Sequence, residues 1–183
     1  MPELSSAQQA RQRKMVDAGQ AVILLSGFRA ATMEAIAAEA GVAKATLYKY
    51  FPDKDAVYAA VVARVAGDMQ GLFDAALAGE GVVVARIAAA LAAEKKYAYR
   101  LLHSSPHAQE LSGADMSGHL APMAALNQHV EDEIARVLAP ELGSNARYMA
   151  QLLIACALGI FSHAQYAEQI GPAIRMVVEK LLA

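Results

Sequence analysis

The run TMEAIAAEAGVAKATLYKYFPDKD, residues 32–55, reads as two short helices meeting at a glycine. Thr32 can cap the first helix with its hydroxyl, and Glu34 suits the positive end of the helix dipole. Met33, Ile36, Ala37 and Ala40 recur at i, i+3, i+4, i+7, the period of one buried helical face. Gly41 ends this helix, because glycine accepts the left-handed backbone that closes a helix without steric cost. A second helix is expected over residues 44–51. It stops there because Pro52 lacks an N–H and disfavours a helical residue before it.

At 100° per residue, Leu47 and Phe51 fall on one side of that second helix and can anchor it. Ala45, Thr46, Tyr48 and Lys49 project on the other. Small Ala45 permits close approach to base edges, Thr46 offers a hydroxyl and a methyl, and Lys49 can donate to guanine O6 or N7 or meet a phosphate. Lys44 and Tyr50 flank this face and suit backbone phosphates. Asp53 can cap a third helix beginning at Lys54, which sets an ammonium beside free backbone N–H groups. The arrangement is that of a helix-turn-helix DNA reader. A bare helix-glycine-helix also occurs in many helical proteins that never meet DNA, so the pattern by itself is a weak signal.

Residues from about 8 to 62 resemble the N-terminal domain of the TetR family of transcriptional repressors. The resemblance is carried by Phe28 and Thr32 and then by EAGVAKATLYKYFPDKDAVYAAVV, with its glycine, its TLY triplet, the Tyr50-Phe51 pair and the lysine after the turn. It implies that the helix containing TLY enters the major groove and that Thr32, Lys44, Thr46, Tyr48, Lys49, Tyr50 and Lys54 touch DNA. Two positions depart from the family pattern. Ala43 stands where a serine or threonine cap is frequent, at a cost of about 1 kcal/mol of local helix stability. Lys49 stands where histidine is frequent, which bears on the operator sequence.

The rest of the chain fits a regulator. It is 183 residues long and 56% hydrophobic, rich in alanine and leucine with little strand alternation, which favours an all-α fold. The formal net charge of −2 conceals a split. Residues 1–54 hold seven Lys/Arg against five Asp/Glu, and the remainder nine against thirteen, so basic groups collect where the motif lies. Arg11, Arg13 and Lys14 add to this, either as phosphate contacts or as a solvated helix start. The lone Cys156 sits in LLIACALGIF and reads as a small buried thiol. The polar N-terminus lacks an apolar signal core, and the apolar stretch 149–161 is too short to span a bilayer, so a cytoplasmic location without membrane partners is expected. No P-loop, dinucleotide glycine fingerprint, GxSxG, HExxH or CxxC is present, so neither catalysis nor a cofactor is expected. His103 and His107 are spaced i, i+4, but Pro106 between them disturbs the helical register a metal pair needs, and a structural or solvated role is the simpler reading.

The expected division is a helix-turn-helix DNA-binding domain at 1–53 and a helical effector-binding and dimerisation domain at 54–183. A helix from about residue 15 ends near Gly27 and completes a three-helix head. A long helix runs to about residue 78, and another from 82 to 103, with a possible interruption near Glu94. A turn-rich loop spans 112–118, a helix runs from 119 to 138 and stops at Pro140 and Gly143, and another runs from 144 to 169. The last begins at Pro172. If the body senses a small molecule, Met69, Phe73, Tyr99, His103, Met116, Met123 and Met149 are its candidate contacts, although each also fits plain core packing. In the family the last two helices pair with a second subunit, which puts Ile160, Phe161, Ile174 and Val178 near a dimer interface. The resemblance thus implies a homodimer on a palindromic double-stranded operator, released by a small-molecule effector. The alternative is a helical metal- or partner-binding protein without DNA activity.

Overall fold

The computed structural model describes residues 5–112 and 121–183, among which there is no strand. Its helices are α1 (Ser6–Ser26), α2 (Met33–Glu39), α3 (Lys44–Tyr50), α4 (Lys54–Leu77), α5 (Val83–Leu102), α6 (Ala121–Leu142), α7 (Ala146–His163) and α8 (Ala167–Leu181), with a 3-10 turn at Ala108–Ser112. The chain forms two compact units. Among the described residues, one comprises 5–65 with 102–112, and the other 66–101 with 121–183. Along α4 the boundary between these compact units lies at 65/66. The reason is packing, since Val57, Tyr58, Val61, Val62 and Val65 are all buried along the first turns of α4.

In the first unit local chemistry sets each boundary. Ser5 opens α1 with a reciprocal capping box: its hydroxyl accepts from the Gln8 amide at 3.3 Å, and its own amide donates to the Gln8 side chain at 2.8 Å. The Thr32 hydroxyl accepts from the Ala35 amide at 3.1 Å and caps α2. Gly41, at φ 63°, closes it, with the Val42 amide reaching back to the Ala37 carbonyl at 2.9 Å. α3 has no side-chain cap at Ala43, as its sequence implies. Asp53 accepts from the Ala56 amide at 2.8 Å and starts α4. The core gathers Met15, Ile23, Ile36, Leu47, Val57, Tyr58 and Val61, all fully buried. Gly19 lets α1 lie close to α4, because a Cβ there would stand 2.5 Å from Val57 Cγ1.

In the second unit α6 packs along α7, and α7 along α8. Arg147 forks between Glu131 and Asp132 at 2.6 and 2.7 Å and fastens the start of α7 to α6. Its hydrogen bond holds the Asp132 carboxyl below the ordinary carboxylate range. Several sequence expectations are corrected here. α5 is continuous through Glu94, which is buried and paired with Lys95 at 2.8 Å, so a charge that looked like a break is internal instead. Of the two stops expected, Gly143 ends α6 at Leu142, whereas Pro140 lies inside it. A proline in the last turn removes one intrahelical donor where the helix is about to end, and Gly143, at φ 53°, turns the chain. The break between the last two helices falls at 164–166, ahead of Pro172, which lies inside α8. The turn-rich stretch expected at 112–118 and the helix start at 119 lie, from residue 113 on, outside the described residues.

Candidate nucleic-acid interface

α3 has the two faces its sequence requires. Leu47 is fully buried and Phe51 nearly so, while Lys44, Ala45, Tyr48 and Lys49 are exposed and Thr46 and Tyr50 are half-buried. The outward set is therefore contiguous, with Tyr48 43% exposed at its centre. Lys44 is not idle in this state. It forms a close ion pair with Glu34 of α2 and stands 5.7 Å from the Tyr48 ring centroid. That hydrogen bond raises the Lys44 ammonium above its ordinary range and lowers the Glu34 carboxyl. Both groups are exposed, so exchanging Glu34 for a phosphate at Lys44 leaves no buried charge.

Two basic side chains from α1 join this face. Arg11 and Lys14, with Gly41, Ala43 and Thr46, line a cleft of about 570 Å³ beside the start of α3. Lys14 lies over Gly41, its Nζ 3.5 Å from where a Cβ would be. A positive wall thus borders the N-terminal end of the outward helix, where Thr46 begins the readable surface. Lys54 differs from expectation. Its ammonium donates to the Phe28 and Arg29 carbonyls at 2.7 and 3.3 Å and stands 4.4 Å from the Phe28 ring centroid. In this structure it fastens the loop between α1 and α2, and its neighbour Arg29 is the exposed cation there.

The same loop is held from the other side by residues the sequence did not single out. The Phe28 amide donates to the Glu110 carboxylate, Tyr58 donates its hydroxyl to the Glu110 carbonyl, and Ser105 donates to the Leu24 carbonyl. His107 Nδ1 lies 3.2 Å from the other Glu110 oxygen, and the Phe28 and Tyr58 rings meet edge to face at 4.9 Å. The hydrogen bonds of Phe28, Tyr58 and Ser105 span more than 50 residues, so no local sequence signal announces them. His103 and His107 share no helical turn: one follows α5 and the other lies in the next turn. Among the described residues no group of three or more His, Cys, Asp or Glu could hold a metal, and no helix is long and apolar enough to cross a membrane.

The remaining candidate residues separate. Met69 and Phe73 are buried on α4, and Phe73 faces the His129 ring edge on at 6.4 Å. Tyr99 is buried and meets Phe161 edge on at 6.5 Å, so a residue proposed for an effector touches one proposed for a dimer contact. Met123 and Met149 are half-buried, His103 is exposed, and Met116 lies outside the described residues. Ile160 and Phe161 are half-buried. Ile174 and Val178 are each 1% exposed within the single chain, where they are core positions of α8. The apolar side chains that α7 and α8 leave outside include Leu158, 53% exposed, and Met176, 62% exposed, with Tyr148 near the start of α7 and Leu181 at the end of α8.

Residues 15–61 match the sequence profile of the bacterial regulatory proteins of the tetR family. The chain is 40% identical over 60 residues to the HTH-type transcriptional repressor KstR of Rhodococcus jostii, a match covering 33% of this chain and 28% of that one. It is 44% identical over 50 residues to KstR of Mycobacterium tuberculosis, covering 27% and 23%. The match thus spans only about a quarter of the length of these relatives and a third or less of this chain. Over nearly the whole chain the fold is similar to a TetR-like transcriptional regulator from Rhodococcus sp. RHA1, with a TM-score of 0.70, 18% identity and 98% of each chain covered. It also resembles SmeT, the repressor of the Stenotrophomonas maltophilia multidrug efflux pump SmeDEF, with a TM-score of 0.62, 19% identity, and 93% and 88% covered.

Proposed function

We propose that this chain, whose residues 15–61 match the tetR family of bacterial regulatory proteins and whose fold is that of TetR-like regulators, is a cytoplasmic, homodimeric transcriptional repressor of that family that binds a palindromic operator and is released by a small-molecule effector. The observation that carries the reading is α3, which buries Leu47 and Phe51 and turns Ala45, Tyr48 and Lys49 outward beside a basic cleft. Thr46, Tyr48 and Lys49 face the bases, whereas Lys44, Tyr50, Arg11 and Lys14 meet phosphates, with Thr32 at the start of α2. Lys54 contributes chiefly by setting the loop at Phe28. The first unit is the reader, and the second serves effector binding and dimerisation.

A single head offers few contacts, so affinity comes from two heads on half-sites about 34 Å apart. Exposed Leu158 and Met176 support pairing through α7 and α8, with Ile160 and Phe161 beside them. An effector near Phe73 and Tyr99 that prefers a conformer with another head spacing lowers operator affinity by shifting the population.

Selection from a random DNA pool with the full chain is expected to enrich an inverted repeat whose binding weakens steeply with salt. A pool that yields no enriched repeat refutes the repressor reading and leaves a helical partner-binding protein. For assembly, light scattering at micromolar concentration is expected to report a dimer, and the double variant Leu158→Asp with Met176→Asp a folded monomer, because an interface cannot bury unpaired carboxylates. A wild-type monomer would reject the pairing.

A further inference from the structure

Within the second unit α5 and α8 border a groove of about 590 Å³. The volume lies within the usual range for small-molecule sites. One wall is a row of α5 alanines from Ala85 to Ala93, and the rest is formed by Lys96, Arg100, Gly171, Arg175 and Glu179. The helices run antiparallel along it. Arg100 lies 3.7 Å from Glu168 at one end, and Lys96 lies over Gly171 one turn further, its Nζ 2.8 Å from where a Cβ on Gly171 would be. Arg175 and then Glu179 therefore come level with successive α5 alanines. The groove is polarised: Arg100, Lys96 and Arg175 gather toward one end, while Glu179 stands at the alanine end.

Charge complementarity selects the occupant. Among the described residues no carboxylate lies within ion-pair distance of Lys96 or Arg175, so two cations border an apolar wall uncompensated. From Lys96 back to Ala85 the wall is about 16 Å long at the helical rise per residue, the reach of a medium-length alkyl chain. Glu179 repels an anionic head from the far end. We propose that this groove binds an amphipathic organic anion, a carboxylate on an unbranched alkyl chain, with its head between Lys96 and Arg175 and its chain along Ala85 to Ala93. Gly171 contributes by having no side chain, since its bare backbone lets the Lys96 ammonium lie across α8 at the head position.

The proposal goes beyond the DNA reading and is tested without DNA. The full chain is titrated calorimetrically with dodecanoate below its micellar concentration, with acetate as the anion lacking a chain and dodecyltrimethylammonium as the chain carrying the opposite charge. One dodecanoate per chain is expected to bind saturably, with neither control binding over the same range. Lys96→Ala combined with Arg175→Ala is expected to weaken dodecanoate about tenfold or more, because the charge-assisted hydrogen bonds to the head go with those side chains. Ala89→Leu, at an exposed position, is expected to weaken it by narrowing the wall while circular dichroism stays unchanged. No saturable binding, equal binding of the cationic amphiphile, or affinity indifferent to these substitutions overturns the proposal. If Ala89→Leu instead dissociates a dimer and leaves dodecanoate binding intact, a second copy occupies the groove, and the proposal fails.

Discussion

Leu47→Ala is expected to destabilise the reading head by about 2–5 kcal/mol, the range for truncating a fully buried leucine, and to abolish operator binding with it. α3 has only seven residues and no side-chain cap at Ala43. A helix so short is unstable alone, so its position rests on the side chains it buries. Leu47 is fully buried and Phe51 4% exposed, and between them they are the anchors. Removing Leu47 leaves a void beneath the face proposed to meet DNA. Leu72→Ala is the matched control, because Leu72 is 41% exposed and stands in the second unit. Urea unfolding followed by circular dichroism should show a lowered midpoint for Leu47→Ala and a nearly unchanged one for Leu72→Ala. Equal midpoints for the two variants would mean that α3 is not held by this anchor.

Tyr48→Ala and Lys49→Ala are each expected to weaken operator binding by about 1–3 kcal/mol if they read bases, with no loss of fold, since both side chains already face solvent. Anisotropy titrations at several salt concentrations, on the selected operator and on a scrambled duplex, tell base reading from phosphate binding. If Lys49 reads a base, its replacement reduces the preference for the operator. If it meets a phosphate, its replacement weakens both duplexes alike and lowers the salt slope by about one. Wild-type affinity in both variants would remove α3 from the interface.

The reading head was legible because its punctuation is local. Thr32, Gly41, Pro52 and Asp53 each act on the backbone within four residues, and each boundary falls where that chemistry puts it. The same logic misplaced the later helices. Pro140 and Pro172 read as a stop and a start, yet α6 and α8 accommodate them, while the break before Tyr166 contains neither glycine nor proline. Periodicity located the apolar stripe of α8 but not what covers it. Ile174 and Val178 satisfy the stripe inside their own chain, and the most exposed apolar residue of α8, Met176, lies off it. Lys54 was identified as a cation beside the motif, but its partners are backbone carbonyls 25 and 26 residues away, which no spacing rule reaches. Glu110 lies further still from Phe28, beyond any local signal.

The hydrogen bonds of Ser105, Tyr58 and Glu110 around Phe28 bear on modularity. A reader that is continuous in sequence can be cut out and fused to another body. This one is completed by a stretch that returns after α5, more than 75 residues later, to satisfy the Phe28 amide and the Leu24 carbonyl. A chimera that transplants residues 1–65 alone would carry those groups without their partners, and one that keeps the recipient's equivalent of 102–112 would need a carboxylate at the place of Glu110. The portable unit of this protein is a pair of separate segments, so exchange of operator specificity between relatives is cleaner by substitution on α3 than by transplanting the head.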